Sequence, residues 1–396
     1  MTILEEAFEI NDETIKTRRD FHRHPELGLE EFRTAAIVAE KLEALGLEVS
    51  TGIGKTGVVG LLKGKSESPV LLLRFDMDAL PIQEDTGAAY ASENPGKMHA
   101  CGHDCHTAVG LSVAKLLTSR RDELAGTIKF VFQPGEEGAG GAELMVADGV
   151  LDDPKPNYSM AMHVWNDKPV GWYGLTPGPI MAGAHIFTVK IKGKGGHGAS
   201  PHQTVDPVVA AAQIITALQT ITSRNVNPLD SAVVSVCTVA SGTAFNIIPQ
   251  EATIEGTIRT FKMEVCDKVF HRFDVIVNHI AEAMGCTAEI DSEQITFPVS
   301  NDPKLVQLMN SVIKDVDPDA QIDPSHQTMG SEDFSFMMQD IPGCFIMVGS
   351  ANHEKGLDYS HHHPKFNIDE TCLPFSVALI AQGAVEILRM QPEAGV

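Results

Sequence analysis

Short runs of consecutive apolar residues recur along the chain, and they constrain its fold more than any other feature. Five of these runs are bounded by glycine, proline or polar residues, and they read GVVGLLKG, PVLLLRFD, GTIKFVFQ, NYSMAMHV and CFIMVGS. Segments with helical spacing, such as residues 107–119, lie between several of them. This alternation is typical of buried strands in a mostly parallel sheet covered by helices. The sequence therefore predicts an α/β fold.

The pattern changes near residue 185, where alternating polar and apolar residues replace the continuous runs. Residues 185–298 predict a strand, a helix, two strands, a helix and a last strand, which describes an antiparallel α+β unit of the ferredoxin-like type. The α/β pattern then returns. Because 396 residues exceed what one core usually holds, we predict two domains. One is discontinuous and comprises residues 1–184 and 299–396, and the other is the insert of residues 185–298.

Charge and composition exclude several classes of protein. Asp and Glu outnumber Lys and Arg by 53 to 30, so the net charge of −23 would repel nucleic acid. No apolar run approaches the roughly 18 residues that cross a bilayer, and the acidic start MTILEEAFEI is unlike a signal peptide. We therefore expect a cytoplasmic protein with no membrane partner. Seven cysteines argue against a disulfide framework, whereas 16 histidines among many acids favour a metal site.

Polar residues follow the predicted strands at the points where these strands end. The acids Asp76 and Asp78 end one run, Glu136 and Glu137 follow another, and His163 ends a third. The last run leads into a loop with His353 and the triplet 361–363. Since ligands of open α/β sheets bind at the carboxyl ends of the strands, we expect these side chains to gather there.

The densest cluster is the segment MHACGHDCHTA, which contains Cys101, His103, Cys105 and His106. Residues two apart on an extended chain face the same way, so Cys101 and His103 can reach one ion, and Asp104 is a candidate cap for the following helix. A closed structural zinc site and a core cysteine are alternatives, as is a Cys101 nucleophile paired with His103 or with the histidine at 163. An open metal site fits best, because the sequence has no second cysteine-rich segment.

Two glycine-rich segments permit further interpretations. Glu136 and Glu137 lie between Pro134-Gly135 and a run of small residues, so one carboxylate can bind metal while its neighbour moves a proton. The segment GKGGHG fits the outline of a dinucleotide fingerprint, but residues 210–220 contain no acid to hold a ribose. Nucleotide binding is therefore disfavoured.

Read in order, these and other segments resemble one family. The segments are FHRHPELGLEEFRTA, RFDMDALPI, MHACGHDCHTA, QPGEEGAGGAELMV, the His163 strand, GKGGHGASPHQTVDP, NIIPQEATIEGTIRT, GSEDFSFM and HHHPKFNIDE. Together they resemble the aminoacylase and carboxypeptidase-G family of two-metal peptidases. The resemblance is strongest to its branch of hippurate hydrolases, N-acyl-amino-acid amidohydrolases and indoleacetyl-amino-acid hydrolases, and it spans nearly the whole chain.

The resemblance implies a set of metal ligands. Cys101 would be shared by two ions, His103 and His163 would complete one site, and Glu137 with a C-terminal histidine would complete the other. The family pattern His-x-Pro-x-Phe selects His362 for that place, with His361 and His363 as alternatives.

The resemblance also implies roles for residues beside the metals. Glu136 would be the general base, and Asp78 would orient a metal-bound histidine. His197 resembles a histidine of the inserted lid that reaches the site of the partner subunit. Asn246 and Arg259 resemble residues near the substrate carboxylate.

We therefore predict a metal-dependent amidohydrolase that splits N-acyl amino acids, either hippurate-like or N-acetylated, into a carboxylate and a free amino acid. The resemblance implies two divalent ions per subunit, zinc first and manganese or cobalt as alternatives, and a homodimer or larger homo-oligomer joined through the inserted lid and dimerisation domain. A metallo-dipeptidase or an N-acetyl-diaminopimelate-type deacetylase on the same scaffold is the alternative. A protein that only binds metal or nucleotide is disfavoured, because Glu136 is retained beside the ligand set.

Overall fold

Helices and strands alternate along residues 1–390, the part of the chain that the computed structural model describes. The α-helices are α1 (Ile3–Glu9), α2 (Asn11–Arg23), α3 (Phe32–Ala44), α4 (His103–Ser119), α5 (Gly141–Ala147), α6 (Pro207–Thr220), α7 (Met263–Ala283), α8 (Pro303–Val316) and α9 (Leu373–Ile387). The strands are β1 (Glu48–Ile53), β2 (Gly57–Lys63), β3 (Val70–Asp76), β4 (Thr127–Gln133), β5 (Tyr158–Pro169), β6 (Trp172–Gly174), β7 (Gly178–Met181), β8 (Gly183–Lys192), β9 (Gly196–His197), β10 (Ala232–Ser241), β11 (Ile247–Ile248), β12 (Glu251–Thr260), β13 (Thr287–Thr296), β14 (Val299–Asn301), β15 (Gln321–Asp323) and β16 (Gly343–Ala351).

The described chain divides into two units. The first comprises residues 1–178, 300–327 and 333–390, and the second comprises residues 179–299 and 328–332. The sequence analysis placed the boundaries at 184/185 and 298/299, so the second unit starts earlier and also takes in residues 328–332. That segment joins the second unit through backbone hydrogen bonds, from Thr328 N to Ile180 O (2.9 Å) and from Ala182 N to Gly330 O (3.0 Å).

An eight-stranded sheet forms the centre of the first unit. Its strand order is β1-β2-β4-β3-β5-β16-β6-β15, and the five predicted apolar runs form β2, β3, β4, β5 and β16. The pairs β4-β3, β3-β5 and β5-β16 are parallel, whereas β1 and β2 pair antiparallel at one edge. The predicted α/β class with a mostly parallel sheet is therefore confirmed.

The register of the parallel strands places the predicted polar residues side by side. Asp76 lies opposite Gln133, three residues before Glu136. Arg74 of β3 lies opposite Ala161 of β5. Two residues further along each of these parallel strands, Asp76 is therefore level with His163. The carboxyl ends of β3 and β4 therefore bring their polar residues beside His163. His163 was expected to end its strand, but β5 continues beyond it to Pro169, so it lies in the middle of the strand.

The second unit is built around a four-stranded antiparallel sheet. The strand order is β10-β12-β8-β13, and β8, α6, β10, β12, α7 and β13 follow one another as predicted. One face of this sheet packs against α6 and α7, and the core between them includes Phe187, Ile254 and Phe273. The strand-helix-strand-strand-helix-strand order is that of a ferredoxin-like unit.

A buried ion pair fixes the beginning of α4, and it corrects the predicted role of Asp104. The helix is preceded by Gly102 at its N-cap, and Asp104 is fully buried in its first turn. Its carboxylate accepts hydrogen bonds from Arg18 Nε (2.7 Å) and His22 Nδ1 (2.8 Å). Burial opposes the charge of Asp104, but Arg18 and His22 outweigh it and hold the pKa of this carboxyl well below its ordinary value. Asp104 therefore joins α4 to α2 and is not a cap.

One segment, Glu370–Ile387, is long and apolar enough by composition to cross a membrane, although the sequence analysis recognised no such run. In the structure 72% of this segment is buried inside the protein. Its helix, α9, packs against α1, α4 and α8, so its apolar surface belongs to the core of the first unit.

We expect Arg18→Met to destabilise the protein by about 3–5 kcal/mol, because it leaves the buried Asp104 carboxylate without its guanidinium partner. Arg19→Ala is the matched control, since Arg19 is 42% exposed and its ion pair with Glu370 should contribute only about 0–1 kcal/mol. Denaturant unfolding of the two variants and the wild type measures the difference. Equal destabilisation by both substitutions would contradict this account of the ion pair.

Candidate functional site

Three potential ligands meet where the middle of β5 lies beside the beginning of α4. A sulfur or ring nitrogen from each of Cys101, His103 and His163 lies within 4.8 Å of the other two, and Cys101 Sγ is 3.5 Å from His163 Nε2. Gly102 makes the approach possible, because its φ is +92° and a Cβ there would lie 2.4 Å from Val164 Cγ2. The chain can therefore turn into α4 directly between two of the ligands.

A second group of three shares Cys101 and adds Glu137 and His362. Their ligand atoms also lie within 4.8 Å of one another, and His362 Nε2 is 3.1 Å from Glu137 Oε1. The backbone of His362 is left-handed, with φ of +66°, and its N–H donates to Ala100 O (2.8 Å). The two groups thus overlap at the cysteine. Glu136 lies beside them, since one of its carboxylate oxygens falls within 4.8 Å of ligand atoms from His103 and Glu137.

In His103 and His163 the ring nitrogen Nδ1 is held by an oxygen acceptor. His163 Nδ1 donates to Val164 O (2.7 Å), and His103 Nδ1 donates to Asp78 Oδ1 (3.1 Å). In each ring Nε2 is therefore the nitrogen that carries the lone pair when the ring is neutral. His103 Nε2 is buried and has no hydrogen-bond partner among residues 1–390. Histidines that bind metals through Nε2 usually donate their other N–H in this way.

Neighbouring histidines have other hydrogen-bond or stacking partners. His106 also lies in a group of potential ligands with Asp76 and His103, but both of its ring nitrogens are already hydrogen-bonded. His106 Nε2 accepts from Val164 N (3.0 Å), so its Nδ1 carries the proton and donates to Asp76 Oδ1 (2.6 Å). His361 Nε2 donates to Val164 O (2.9 Å). The His363 ring stacks on Tyr359, with centroids 4.6 Å apart. Of the histidine triplet, His362 is therefore the one that reaches Glu137.

The electrostatics of the first group suit a cation. Burial raises the pKa of the Cys101 thiol well above its usual range, and the charge of Glu137 adds to this effect. Burial also lowers the pKa of His163 well below its usual range, assisted by the neighbouring His106 and His361. Burial opposes a charge on His103, but Asp76 and the hydrogen bond to Asp78 outweigh it and raise the pKa of this ring well above its usual range, so a metal there has to displace a proton. The neutral imidazole of His163 is ready to bind metal, whereas a thiolate at Cys101 needs a positive charge beside it. The chemistry of these donors therefore fits a divalent ion.

Buried carboxylates hold the elements that carry the ligands. Asp78, predicted to orient a metal-bound histidine, contacts His103 through Oδ1 and accepts from Glu137 N through Oδ2 (2.9 Å). Asp333, which the sequence analysis did not single out, accepts from Gln133 Nε2 (2.7 Å) and Ala142 N (3.0 Å) on either side of the Glu136-Glu137 loop. Its presence in the quoted segment GSEDFSFM was the available signal.

The remaining predicted residues lie in the second unit. His197 is exposed and pairs with Ile247 in a short ladder, and the adjacent Asn246 accepts from Gly198 N (2.8 Å). Arg259 lies on β12, and its buried Nη1 has no hydrogen-bond partner among the described residues. The structure therefore brings His197 and Asn246 together, whereas Arg259 lies on a different strand of the same unit.

Comparison with known proteins gives a consistent result. The sequence profile of peptidase family M20/M25/M40 matches residues 72–384. The chain is 40% identical to the N-acetyl-L-cysteine deacetylase of Bacillus subtilis (strain 168) over 402 aligned positions, which cover 100% of this chain and 94% of that protein. It is 41% identical to the IAA-amino acid hydrolase ILR1-like 4 of Arabidopsis thaliana, with 95% of this chain and 86% of that protein covered.

A solved structure extends the similarity to three dimensions. The YXEP protein of Bacillus subtilis, described as a dinuclear metal binding peptidase from the M20 family, superposes with a TM-score of 0.84. The two chains are 36% identical, and the match covers 97% of this chain and 99% of the other.

We expect His362→Ala to lower the metal content of the protein, because the substitution removes one of three ligands from the group with Cys101 and Glu137. The loss of a ligand should weaken binding of that ion at least as much as loss of an outer-shell partner, which typically costs about 10- to 100-fold. His363→Ala is the control, since its ring stacks on Tyr359 instead. Metal analysis after dialysis distinguishes the two, and equal retention by both variants would exclude His362 as a ligand.

Proposed function

The chain belongs to peptidase family M20/M25/M40, and on that basis we propose that it is a metal-dependent amidohydrolase that cleaves the amide bond of N-acyl amino acids. Membership of this family makes it a hydrolase that acts on amides. The proposal adds the substrate class, the products, which are a carboxylate and a free amino acid, and the roles of individual residues.

The observation that carries the proposal is the pair of overlapping ligand groups that share Cys101, with the Glu136 carboxylate beside them. A binding protein needs only the ligands. Hydrolysis needs in addition a group that moves protons, and Glu136 supplies it within the same cluster.

Sulfur, nitrogen and oxygen donors suit two divalent ions, and the orphaned Nε2 of His103 supports this fit. We propose that Cys101, His103 and His163 hold one ion and that Cys101, Glu137 and His362 hold the other. When bound, the ions would polarise the amide carbonyl and make water a stronger nucleophile. Zinc is our first choice because thiolate is a soft ligand, with manganese and cobalt as alternatives.

The two adjacent acids, Glu136 and Glu137, would have different roles. Glu137 is held through its backbone N–H by Asp78 and through its carboxylate by His362, which suits a ligand. Glu136 would accept the proton of the attacking water at a carboxylate oxygen and deliver it to the departing amine. His197 would stabilise the oxyanion that forms on the former amide carbonyl.

Arg259 is the best candidate for the group that binds the substrate carboxylate. Burial lowers its pKa, and it forms no ion pair with any described residue of its own unit. An arginine without a carboxylate partner suits an anionic ligand, which it can bind with two hydrogen bonds. Asn246 would contribute a further polar contact to the same substrate.

The names of the relatives agree with this substrate class. N-acetyl-L-cysteine and amino acid conjugates of IAA are N-acyl amino acids, and the relatives named after them are 40% and 41% identical to this chain. A relative named thermostable carboxypeptidase 1, from Saccharolobus solfataricus, is 37% identical, so a dipeptidase or another peptidase on the same scaffold is the alternative.

We further propose a homodimer joined through the second unit. Strand β10 lies at the edge of its sheet, and residues 237–241 along it are exposed. Phe245 and Ile247 nearby are also exposed. An exposed edge strand flanked by apolar side chains is a template for pairing with a second chain.

The proposal is tested with a panel of N-benzoyl, N-acetyl and indoleacetyl amino acids together with dipeptides. We expect hydrolysis of N-acyl amino acids, loss of activity after chelation, and recovery when zinc, manganese or cobalt is returned. Turnover of dipeptides alone would favour the alternative. Full activity in demonstrably metal-free protein would contradict the proposal and support Cys101 as a nucleophile.

Glu136→Gln should reduce turnover by about 10² to 10⁴, because the amide keeps the shape of the side chain and cannot accept the proton. Metal content and thermal stability should stay at wild-type values. Glu137→Gln is the matched variant, and it should instead lose metal. Metal loss in Glu136→Gln with metal retained in Glu137→Gln would show that the two roles are exchanged.

His197 is proposed to act at the metals of the partner subunit, so mixing two inactive proteins tests it. After subunit exchange, a heterodimer of His197→Ala and Glu136→Gln has one site with both defects and one with neither. Activity should return to about half of the wild-type value per heterodimer if the sites are independent. Confirmed exchange without recovery would show that His197 acts within its own chain or not at all.

A further inference from the structure

Residues 26–31, which connect α2 to α3, lie before residue 72, where the family match begins. They are here called the 26–31 segment. They include Glu31, whose carboxylate is fully buried. The segment contacts the loop of residues 134–140, here called the acidic loop because it carries Glu136 and Glu137.

Glu31 holds the acidic loop directly. One carboxylate oxygen accepts from Gly135 N (2.8 Å), and the other accepts from Thr56 Oγ1 (2.5 Å). Glu31 forms no ion pair with any residue that the structure describes, and burial raises its pKa. Its position is therefore fixed by two hydrogen-bond donors and not by an opposite charge.

Gly28 brings the same segment into contact with the acidic loop a second time. A Cβ at this position would lie 3.1 Å from both Ala139 Cβ and Gly135 Cα, and 3.5 Å from Asp78 Oδ2. The backbone of Gly28 is not left-handed, so alanine is compatible with its φ. The absence of a side chain here therefore lets the loop approach the segment closely.

Glu26, the first residue of the segment, is anchored through both its main chain and its side chain. Ala79 N donates to Glu26 O (2.8 Å), which joins the segment to the residue that follows Asp78. The Glu26 carboxylate accepts from Arg33 N (2.9 Å) and Thr34 N (2.8 Å) in the first turn of α3. These hydrogen bonds fix the 26–31 segment, which contacts the acidic loop.

We propose that the 26–31 segment positions the acidic loop for catalysis and that Glu31 is its positioning residue. This inference rests on the proposed function of Glu136 and Glu137. Glu31 touches neither the reacting atoms nor a ligand, and it acts through Gly135, the residue before Glu136. If Gly135 N–H lost its acceptor, the loop would leave its position to find another one, because an unpaired buried donor is unfavourable.

The test compares Glu31→Leu with Glu31→Gln. Leucine removes the acceptor for Gly135 N–H. We expect kcat per metal-loaded chain to fall by about 10- to 100-fold, because a displacement of catalytic groups by about 1 Å has effects on this scale. KM should change by less than about threefold. Amide hydrogen exchange in residues 134–140 should become faster. Glutamine keeps an acceptor oxygen for Gly135 N–H, so Glu31→Gln should restore both kcat and exchange to near wild-type values.

Two further variants serve as a second perturbation and a control. Gly28→Ala places a methyl group against Ala139 and Gly135, so it should lower kcat by about 3- to 10-fold through displacement of the loop and leave thermal stability nearly unchanged. Glu30→Ala removes an exposed side chain from the same segment and should change neither exchange nor turnover.

The outcomes separate this inference from the proposed function. Faster exchange in Glu31→Leu but not in Glu31→Gln supports the positioning role, whether or not the wild type hydrolyses an N-acyl amino acid. A wild type without amide hydrolysis contradicts only the proposed function. Folded Glu31→Leu with wild-type kcat and exchange, or a Glu31→Gln variant as defective as Glu31→Leu, overturns the inference. If Glu31→Leu does not fold, unchanged exchange and turnover in Gly28→Ala overturn it.

Discussion

A carboxylate that is removed from water has to be held by donors, and around the ligand cluster this requirement organises the first unit. Asp76, Asp104 and Glu31 are all fully buried, and each is hydrogen-bonded to residues from another part of the chain. Arg18 lies 86 residues from Asp104, and Glu31 lies 104 residues from Gly135. A parallel sheet would bring strand ends together without these bonds, but it would not fix the side chains that follow the strands. The hydrogen bonds of the buried carboxylates fix the positions of those side chains.

The sequence was sufficient for the sheet and for the identity of the clustered residues, because both depend on local patterns. Continuous apolar runs became buried strands, and their register placed Asp76 level with the end of the neighbouring strand. The predicted role of Asp104 was wrong, since spacing shows that a residue can cap a helix but not that Arg18 reaches it from another helix. The predicted boundaries also differ from the observed division at residues 328–332, because backbone hydrogen bonds between distant segments join these residues to the second unit.

Histidines show most clearly what a sequence leaves open. His103 and His106 stand three residues apart in one segment. Among the described residues Nε2 of His103 has no hydrogen-bond partner, whereas His106 uses both nitrogens in hydrogen bonds. The adjacent His361 and His362 likewise differ in their contacts, since His361 Nε2 donates to Val164 O and His362 Nε2 contacts Glu137. A ring becomes available to a metal through the partner of its other nitrogen, and that partner comes from a different strand. Residue type and spacing alone therefore identify the histidines that cluster, but not which rings have a nitrogen available to a metal and which are hydrogen-bonded to the protein.

The left-handed backbone of His362 limits how this protein can evolve. Away from glycine, that conformation is adopted mainly by asparagine, aspartate and histidine, and other side chains cost about 1–2 kcal/mol there. Cysteine and glutamate, which could also bind a metal, are therefore disfavoured by the main chain before any question of coordination arises. Aspartate is the one anionic ligand that the backbone accepts at this position. If His362 binds a metal as proposed, a change from a nitrogen to an oxygen ligand at this position is open only through aspartate or asparagine, and only aspartate would add a negative charge to the group with Cys101 and Glu137.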